Sequence, residues 1–244
     1  MCNECGYESP KWAGKCPSCG AWNSLVERVV RSSTQPHTTL AGDARRQTQP
    51  VLIDTVSTDE MPRIDLRDAE LNRVLGGGLV PGSMVLLGGE PGIGKSTLVL
   101  QTVLKMNTKT ILYVSGEESL QQLKLRAERI NIDNPNAYFV SETSLEKTLE
   151  HVEAIQPDLL IVDSIQTMCT ESAESSPGSV TQVRECAAAL LRLAKTRSLP
   201  IILIGHITKE GSIAGPKILE HIVDVVLQFE GDNRGTYRLL RSIK

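Results

Sequence analysis

Hydrophobic and polar positions divide this chain into an unpatterned start and a patterned remainder. From about Val51 onward, short apolar runs recur at residues 84–87, 110–114, 137–140, 159–162, 201–204, 225–229 and 236–243. Most are brief and rich in β-branched residues, the form taken by parallel strands buried on both faces. Between them the apolar positions change to helical spacing. Leu120, Leu123, Ala127 and Ile130 share one face, as do Leu145, Leu149, Val152 and Ile155, and as do Val180, Val183, Ala187, Leu190 and Ala194. Thr143 and Glu146 have the spacing of a capping box, which predicts that the second of these helices starts from Thr143. Strands alternating with helices predict an α/β domain over residues 56–244, built around a mostly parallel central sheet.

Ahead of that domain the pattern lapses. Residues 31–50 are polar, with Pro, Ser, Thr and Gln and almost no large apolar groups, so 29–55 reads as a flexible linker. Residues 1–28 hold four of the six cysteines and both tryptophans, and form a separate small module.

Composition narrows the class. Of the 244 residues, 40% are apolar and 23% charged, ordinary values for a soluble globular protein. A core domain of roughly 180 residues can bury about 70% of its unfolded surface and fold alone. Two Phe, two Trp and four Tyr are too few for a wide base-stacking platform. The formal net charge of −3 removes any whole-protein basic field, so contact with nucleic acid has to come from local patches. No apolar run approaches the ~18 residues that span a bilayer, and the N-terminus lacks an apolar signal core. The expectation is a cytoplasmic protein, in which six cysteines suggest metal binding before disulfides.

The chemistry begins at Gly89-Glu-Pro-Gly-Ile-Gly94-Lys95-Ser96, which satisfies every fixed position of the phosphate-binding pattern G-x-x-x-x-G-K-S/T. An apolar strand precedes it and a helical run follows. The loop residues Gly89, Glu90, Pro91, Gly92, Ile93, Gly94, Lys95, Ser96 and Thr97 are the candidate nucleotide-binding set. Glycines let backbone amides converge on a polyanion, and the helix N-terminus adds free donors. Lys95 supplies a point charge to the outer phosphates, and the Ser96 hydroxyl can ligate Mg²⁺. The run 159–162 ends in Asp163, where an acid can hold the hydration shell of that Mg²⁺. Another strand tip carries Glu117 and Glu118. Glu117 is the preferred candidate for orienting the attacking water, with Glu118 as the alternative and helix capping as a structural role for both. His206 follows the run 201–204. It can report the γ-phosphate to the next loop or serve as a structural hydrogen-bonder. All four positions fall at carboxyl ends of strands, the edge where open α/β sheets bind ligands.

At the N-terminus, Cys2-x-x-Cys5 and Cys16-x-x-Cys19 form two chelating pairs. Four thiolates match tetrahedral Zn²⁺, and Gly6 and Gly20, each after a second cysteine, suit tight knuckle turns. So small a unit lacks an adequate core, which makes the metal its main staple and the module a zinc ribbon. Trp12 and Trp22 are expected to cover the metal turns, and Cys169 and Cys186 to be ordinary thiols.

Taken together, CNECGY, the KW-GKCP-CG-WN run, ELNRVLGGGLVPGS, GGEPGIGKSTL, YVSGEES, IVDSIQT and GHITKEG resemble the bacterial RadA (Sms) family of DNA recombination and repair proteins, and the likeness covers nearly the whole chain. The resemblance implies a RecA-like ATPase core, zinc at Cys2, Cys5, Cys16 and Cys19, and nucleotide at residues 89–97. It also implies an ATP-dependent motor on single-stranded DNA and recombination intermediates that drives branch migration, hexameric rings and a recombinase partner. Residues 209–217 fall where RecA-type proteins place a DNA-contacting loop. In the family, Lys244 would open a Lys-Asn-Arg-Phe-Gly motif that leads into a domain similar to the Lon protease. Without that motif the expectation is ATP binding with slow hydrolysis. A nucleotide-switched adaptor whose zinc ribbon docks a partner is the alternative reading. A clock-type or kinase relative of the RecA superfamily is a third, against which the cysteine pairs weigh.

Overall fold

The computed structural model describes residues 14–22, 50, 52–55, 62–206, 219–231 and 237–244. The chain forms two compact units, Met1–Thr58 and Asp59–Lys244. In the first, the described residues turn tightly around the second cysteine pair. The Cys16 amide donates to Ala21 O (2.9 Å) and the Gly20 amide to Cys16 O (2.9 Å), with Gly20 in the left-handed region at φ +73°. A side chain is strained there, which explains a glycine directly after Cys19. Cys16 is buried and Cys19 exposed. Trp22 does not serve as the expected cover: it is 74% exposed, and the Lys15 ammonium stands 5.6 Å from its ring centroid.

The second unit holds a seven-stranded sheet. In chain order its elements are α1 (Ala69–Val74), β1 (Met84–Gly89), α2 (Lys95–Lys105), β2 (Ile111–Ser115), α3 (Leu120–Ile130), β3 (Ala137–Ser141), α4 (Leu145–Ile155), β4 (Leu159–Asp163), α5 (Val180–Arg197), β5 (Ile201–His206), β6 (Val225–Gly231) and β7 (Arg238–Ser242). The strands lie in the order β3-β2-β4-β5-β1-β6-β7, all parallel except β7, which runs antiparallel to β6. Every residue of β1, β2 and β4 is buried. Alternate residues feed two cores: Leu86, Leu112, Leu160 and Leu203 pack with α4 and α5, while Val85, Tyr113, Ile161 and Ile202 pack with α1, α2 and α3. Helices on both faces explain the continuously apolar strands.

Helix starts follow local chemistry. Ser119 and Gln122 close a full capping box on α3, and Ser179 caps α5 through the Gln182 amide. The expected cap at Thr143 is corrected by one residue. Ser144 is the cap of α4, accepting from the Lys147 amide. Thr143 O is taken by the Cys169 amide (2.8 Å) and the Leu145 amide donates to Cys169 O (2.9 Å), which ties that stretch into an extended bridge before the helix can begin. Glu146 instead accepts from the Thr170 hydroxyl (2.6 Å).

Candidate functional site

The register levels four strand ends. Gly89 pairs with His206, Ser115 with Asp163, and Asp163 with Ile204. The side chains that follow these tips therefore face one another across neighbouring strands. The described residues also form a cleft of about 610 Å³ at the opposite, amino-terminal edge, lined by Arg63, Asp65, Lys109, Asp158 and Arg197 among others, and none of the candidate site residues borders it.

Between β1 and α2 the chain curls through Gly92 (φ +76°) and Gly94 (φ +108°), and Gly94 is the N-cap of α2 with no side-chain cap. The first-turn amides are thus left for a ligand, as an anion site needs. Gly89 is constrained from beneath, because a Cβ there would lie 2.5 Å from Phe229 O. Lys95 is buried. Its ammonium donates to Gly89 O and Glu90 O (2.9 Å each) and stands 3.2 Å from His206 Nδ1. Burial pulls the Lys95 pKa below its ordinary value, opposed by the charges of Asp163 and Glu117.

Asp163 is also buried. Its Oδ2 accepts from the Tyr113 hydroxyl at 2.6 Å. Its Oδ1 accepts no hydrogen bond of ordinary geometry among the described residues, although the Ser96 hydroxyl lies close enough to favour the charged carboxylate. Burial dominates and raises the Asp163 pKa, and it drives the Tyr113 phenol well above its usual range, with the neighbouring Asp163 charge adding to the rise. An orphaned carboxylate oxygen beside a hydroxyl is a donor set that fits a hydrated divalent cation, whose charge would reverse the cost of burying the acid.

Glu117 lies in the same cluster. Its Oε1 accepts from the Ser164 hydroxyl and stands 2.9 Å from His206 Nε2. An ammonium has donors only, so His206 Nδ1 accepts from Lys95, and the ring proton sits on Nε2 and points at Glu117. Burial raises the Glu117 pKa, but the bonds from Ser164 and His206 and the Lys95 charge outweigh it and hold the carboxyl below the ordinary range. Glu118 turns away into an ion pair with Arg126. Lys95, Glu117, Asp163 and His206 are thus brought together, with Ser96 beside Asp163.

Several neighbours were not visible beforehand. Tyr113 and Ser164 orient the two acids from positions that read as strand and turn. Gly116 donates its amide to Asp163 O (2.7 Å), and a Cβ there would fall 2.0 Å from Thr167 Oγ1, so the turn before Glu117 admits only glycine without movement. The run Ser-Gly-Glu-Glu could have flagged this glycine. Cys16 and Cys19 lie on one tight turn and carry thiols, a donor type that zinc takes, while Cys2, Cys5 and residues 209–217 lie outside the described residues.

This loop, its strand-tip acids and the sheet order define a P-loop ATPase with a RecA-type core. Residues 48–212 match the AAA domain family, and residues 1–27 the rubredoxin metal binding domain. The KaiC-like protein PH0186 of Pyrococcus horikoshii shares the fold at a TM-score of 0.62 and 21% identity, over 75% of this chain and 88% of that one. The DNA repair protein RadA of Bacillus subtilis is 49% identical and that of Pseudomonas aeruginosa 50% identical, each over 100% of this chain and 54% of the relative. The chain belongs to the AAA domain family and is similar along its whole length to these RadA proteins. It spans about half the length of the curated relatives it matches.

Proposed function

We propose that this chain binds and hydrolyses MgATP and, as in DNA repair, couples turnover to movement on single-stranded DNA and recombination intermediates, including branch migration. The observation that carries the reading is the cluster of Lys95, Glu117, Asp163 and His206 at one strand edge. The residues from Gly89 to Thr97 cradle the phosphates. Lys95 leaves its loop carbonyls for the outer phosphates. Ser96 and Asp163 hold Mg²⁺, which screens the phosphate charge when bound. Glu117, held ionised by Ser164 and His206, orients the attacking water and takes up its proton. His206 loses its Lys95 contact when that side chain moves, and passes the change to the loop that follows, whose residues 209–217 contact DNA. Cys2, Cys5, Cys16 and Cys19 hold one Zn²⁺ in a ribbon at residues 1–28, tethered through 29–55 to the ATPase domain at 56–244. Partners are DNA, further copies in a hexameric ring and a recombinase, in the cytoplasm.

The test is ATP hydrolysis by the chain with and without single-stranded DNA. Stimulation by DNA is expected. The basal rate is slow under either reading, and a rate that DNA leaves unchanged would support the nucleotide-switched adaptor instead.

A further inference from the structure

We infer that Arg238, through its guanidinium, binds the α-phosphate and ribose end of the nucleotide held by the P-loop of its own subunit. The inference rests on the reading that residues 89–97 hold a nucleotide, and it adds a residue from a part of the fold that no phosphate-loop motif includes.

The direction of the nucleotide follows from the sheet order. Glu117, Asp163 and His206, which meet the outer phosphate, follow or end β2, β4 and β5, all on one side of β1. The strands on the other side of β1 are β6 and β7. A triphosphate whose outer end faces the acids must send its nucleoside away from them, toward that second side.

Arg238 stands there. It opens β7 and pairs in register with Gly231 of β6. Its Nη1 lies 3.2 Å, and its Cζ 3.7 Å, from the point where a Cβ on Gly94 would sit, and Phe229 Cε1 is 3.9 Å from the same point. The guanidinium therefore rests against the loop at the residue just before Lys95. Independent packing holds the strands that carry it against the loop. Ile93, a variable loop position, seats its Cδ1 2.7 Å from where a Gly231 Cβ would be, and Gly89 closes on Phe229 O. Missing side chains on both elements let the β6–β7 hairpin and the loop fit together, so Arg238 is carried by the wall of the site.

Among the described residues its charge is also uncommitted. Arg241 of the same strand pairs with Glu230 at 3.7 Å, whereas among the described residues Arg238 has no acidic partner. A planar fork of donors that never deprotonates suits a phosphate oxygen, and its face can lie on a ribose or base. Arg238 is exposed, so its guanidinium can reach a ligand at the loop without leaving a buried partner.

The experiment measures binding of ATP, ADP and tripolyphosphate, each with Mg²⁺, to the full chain and to its Arg238→Ala, Arg238→Lys and Lys95→Ala variants. Arg238→Ala should weaken ATP and ADP alike, by about tenfold, the loss of one charge-assisted contact. Tripolyphosphate keeps a phosphate at that position but has no ribose, so its loss should be smaller than that of ATP and ADP, and Arg238→Lys should recover only part of the loss, since a point charge lacks the fork. Melting of the nucleotide-free variant should match the unsubstituted chain. Equal losses for all three ligands, loss for ATP alone, or no loss while the unsubstituted chain binds ATP would each overturn the assignment. So would restored ATP binding on mixing Arg238→Ala with Lys95→Ala chains, because that requires the arginine to act on a neighbour's site. Failure of the unsubstituted chain to bind ATP, or undiminished binding by Lys95→Ala, would instead refute the P-loop reading on which the inference stands.

Discussion

Replacing Glu117 by Gln separates chemistry from structure at this site. The amide keeps the shape of the side chain, and its oxygen can still accept from the Ser164 hydroxyl and from His206 Nε2–H, so the Lys95–His206–Glu117 chain stays connected. What disappears is the negative charge to which the proposed function gives the orienting of water and the uptake of its proton. Such a loss slows the chemical step by about 10²–10⁴-fold, or roughly 3–5 kcal/mol of activation free energy. The structural cost is smaller. Two charge-assisted bonds become neutral ones at about 1 kcal/mol each, and solvent screening at a side chain 38% exposed leaves about 1 kcal/mol in total. That corresponds to a fall in Tm of roughly 2–4 °C.

The pH dependence has a fixed sign. The Glu117 carboxyl is held below its ordinary range in the fold, so its stabilising contribution is full above the unfolded value and is lost as pH falls through the folded one. The melting curves of the two proteins should therefore converge on acidification. Single-turnover hydrolysis and equilibrium ATP binding are the assays. Binding should be retained while the rate collapses, and Glu118→Gln, whose parent side chain is engaged with Arg126, should stay within a few-fold of the unsubstituted chain. A Glu117→Gln rate within twofold of the original would refute the assignment, and a collapse confined to Glu118→Gln would transfer it.

Gly116→Ala places a Cβ 2.0 Å from Thr167 Oγ1 and 2.7 Å from Thr167 Cβ; overpacking of this kind should cost about 1–3 kcal/mol and displace Glu117, and an unchanged Tm would contradict the packing. Elemental analysis of the purified protein should find one zinc per chain, and its absence, or iron in its place, would remove the zinc ribbon assignment.

Much of the fold can be read locally. The apolar runs that become β1, β2, β4 and β5 are buried on both faces, and burial of that kind leaves an unbroken signature in sequence. The loop from Gly89 to Thr97 is contiguous and carries its own signal. Helix starts are less legible. Thr143 and Ser144 are adjacent hydroxyls before the same helix, and the choice between them is made by Cys169, far along the chain. Site geometry is hidden for the same reason. Tyr113 reads as a strand residue, and only the β2–β4 register sets its hydroxyl on Asp163. Ser164 reads as a turn residue until it meets Glu117. Arg238 reads as part of a basic strand, and only the hairpin's fit against Ile93 sets it at the loop.

The position of β1 in the sheet bears on how the chain comes into being. Met84 pairs with Ile201 and Val85 with Val225, so the strand that carries the loop has no ladder neighbour until segments made much later arrive. During synthesis, helix α2 and its loop can form early, but their floor cannot, and long-range parallel pairing of this kind is slow. Until then β1 is a bare apolar ribbon, the kind of segment that seeds aggregation. Nucleotide has nothing complete to grip before β5 and β6 close on both sides. Its binding then favours only the finished fold, by mass action, which makes cellular ATP a selective stabiliser of chains that have reached it.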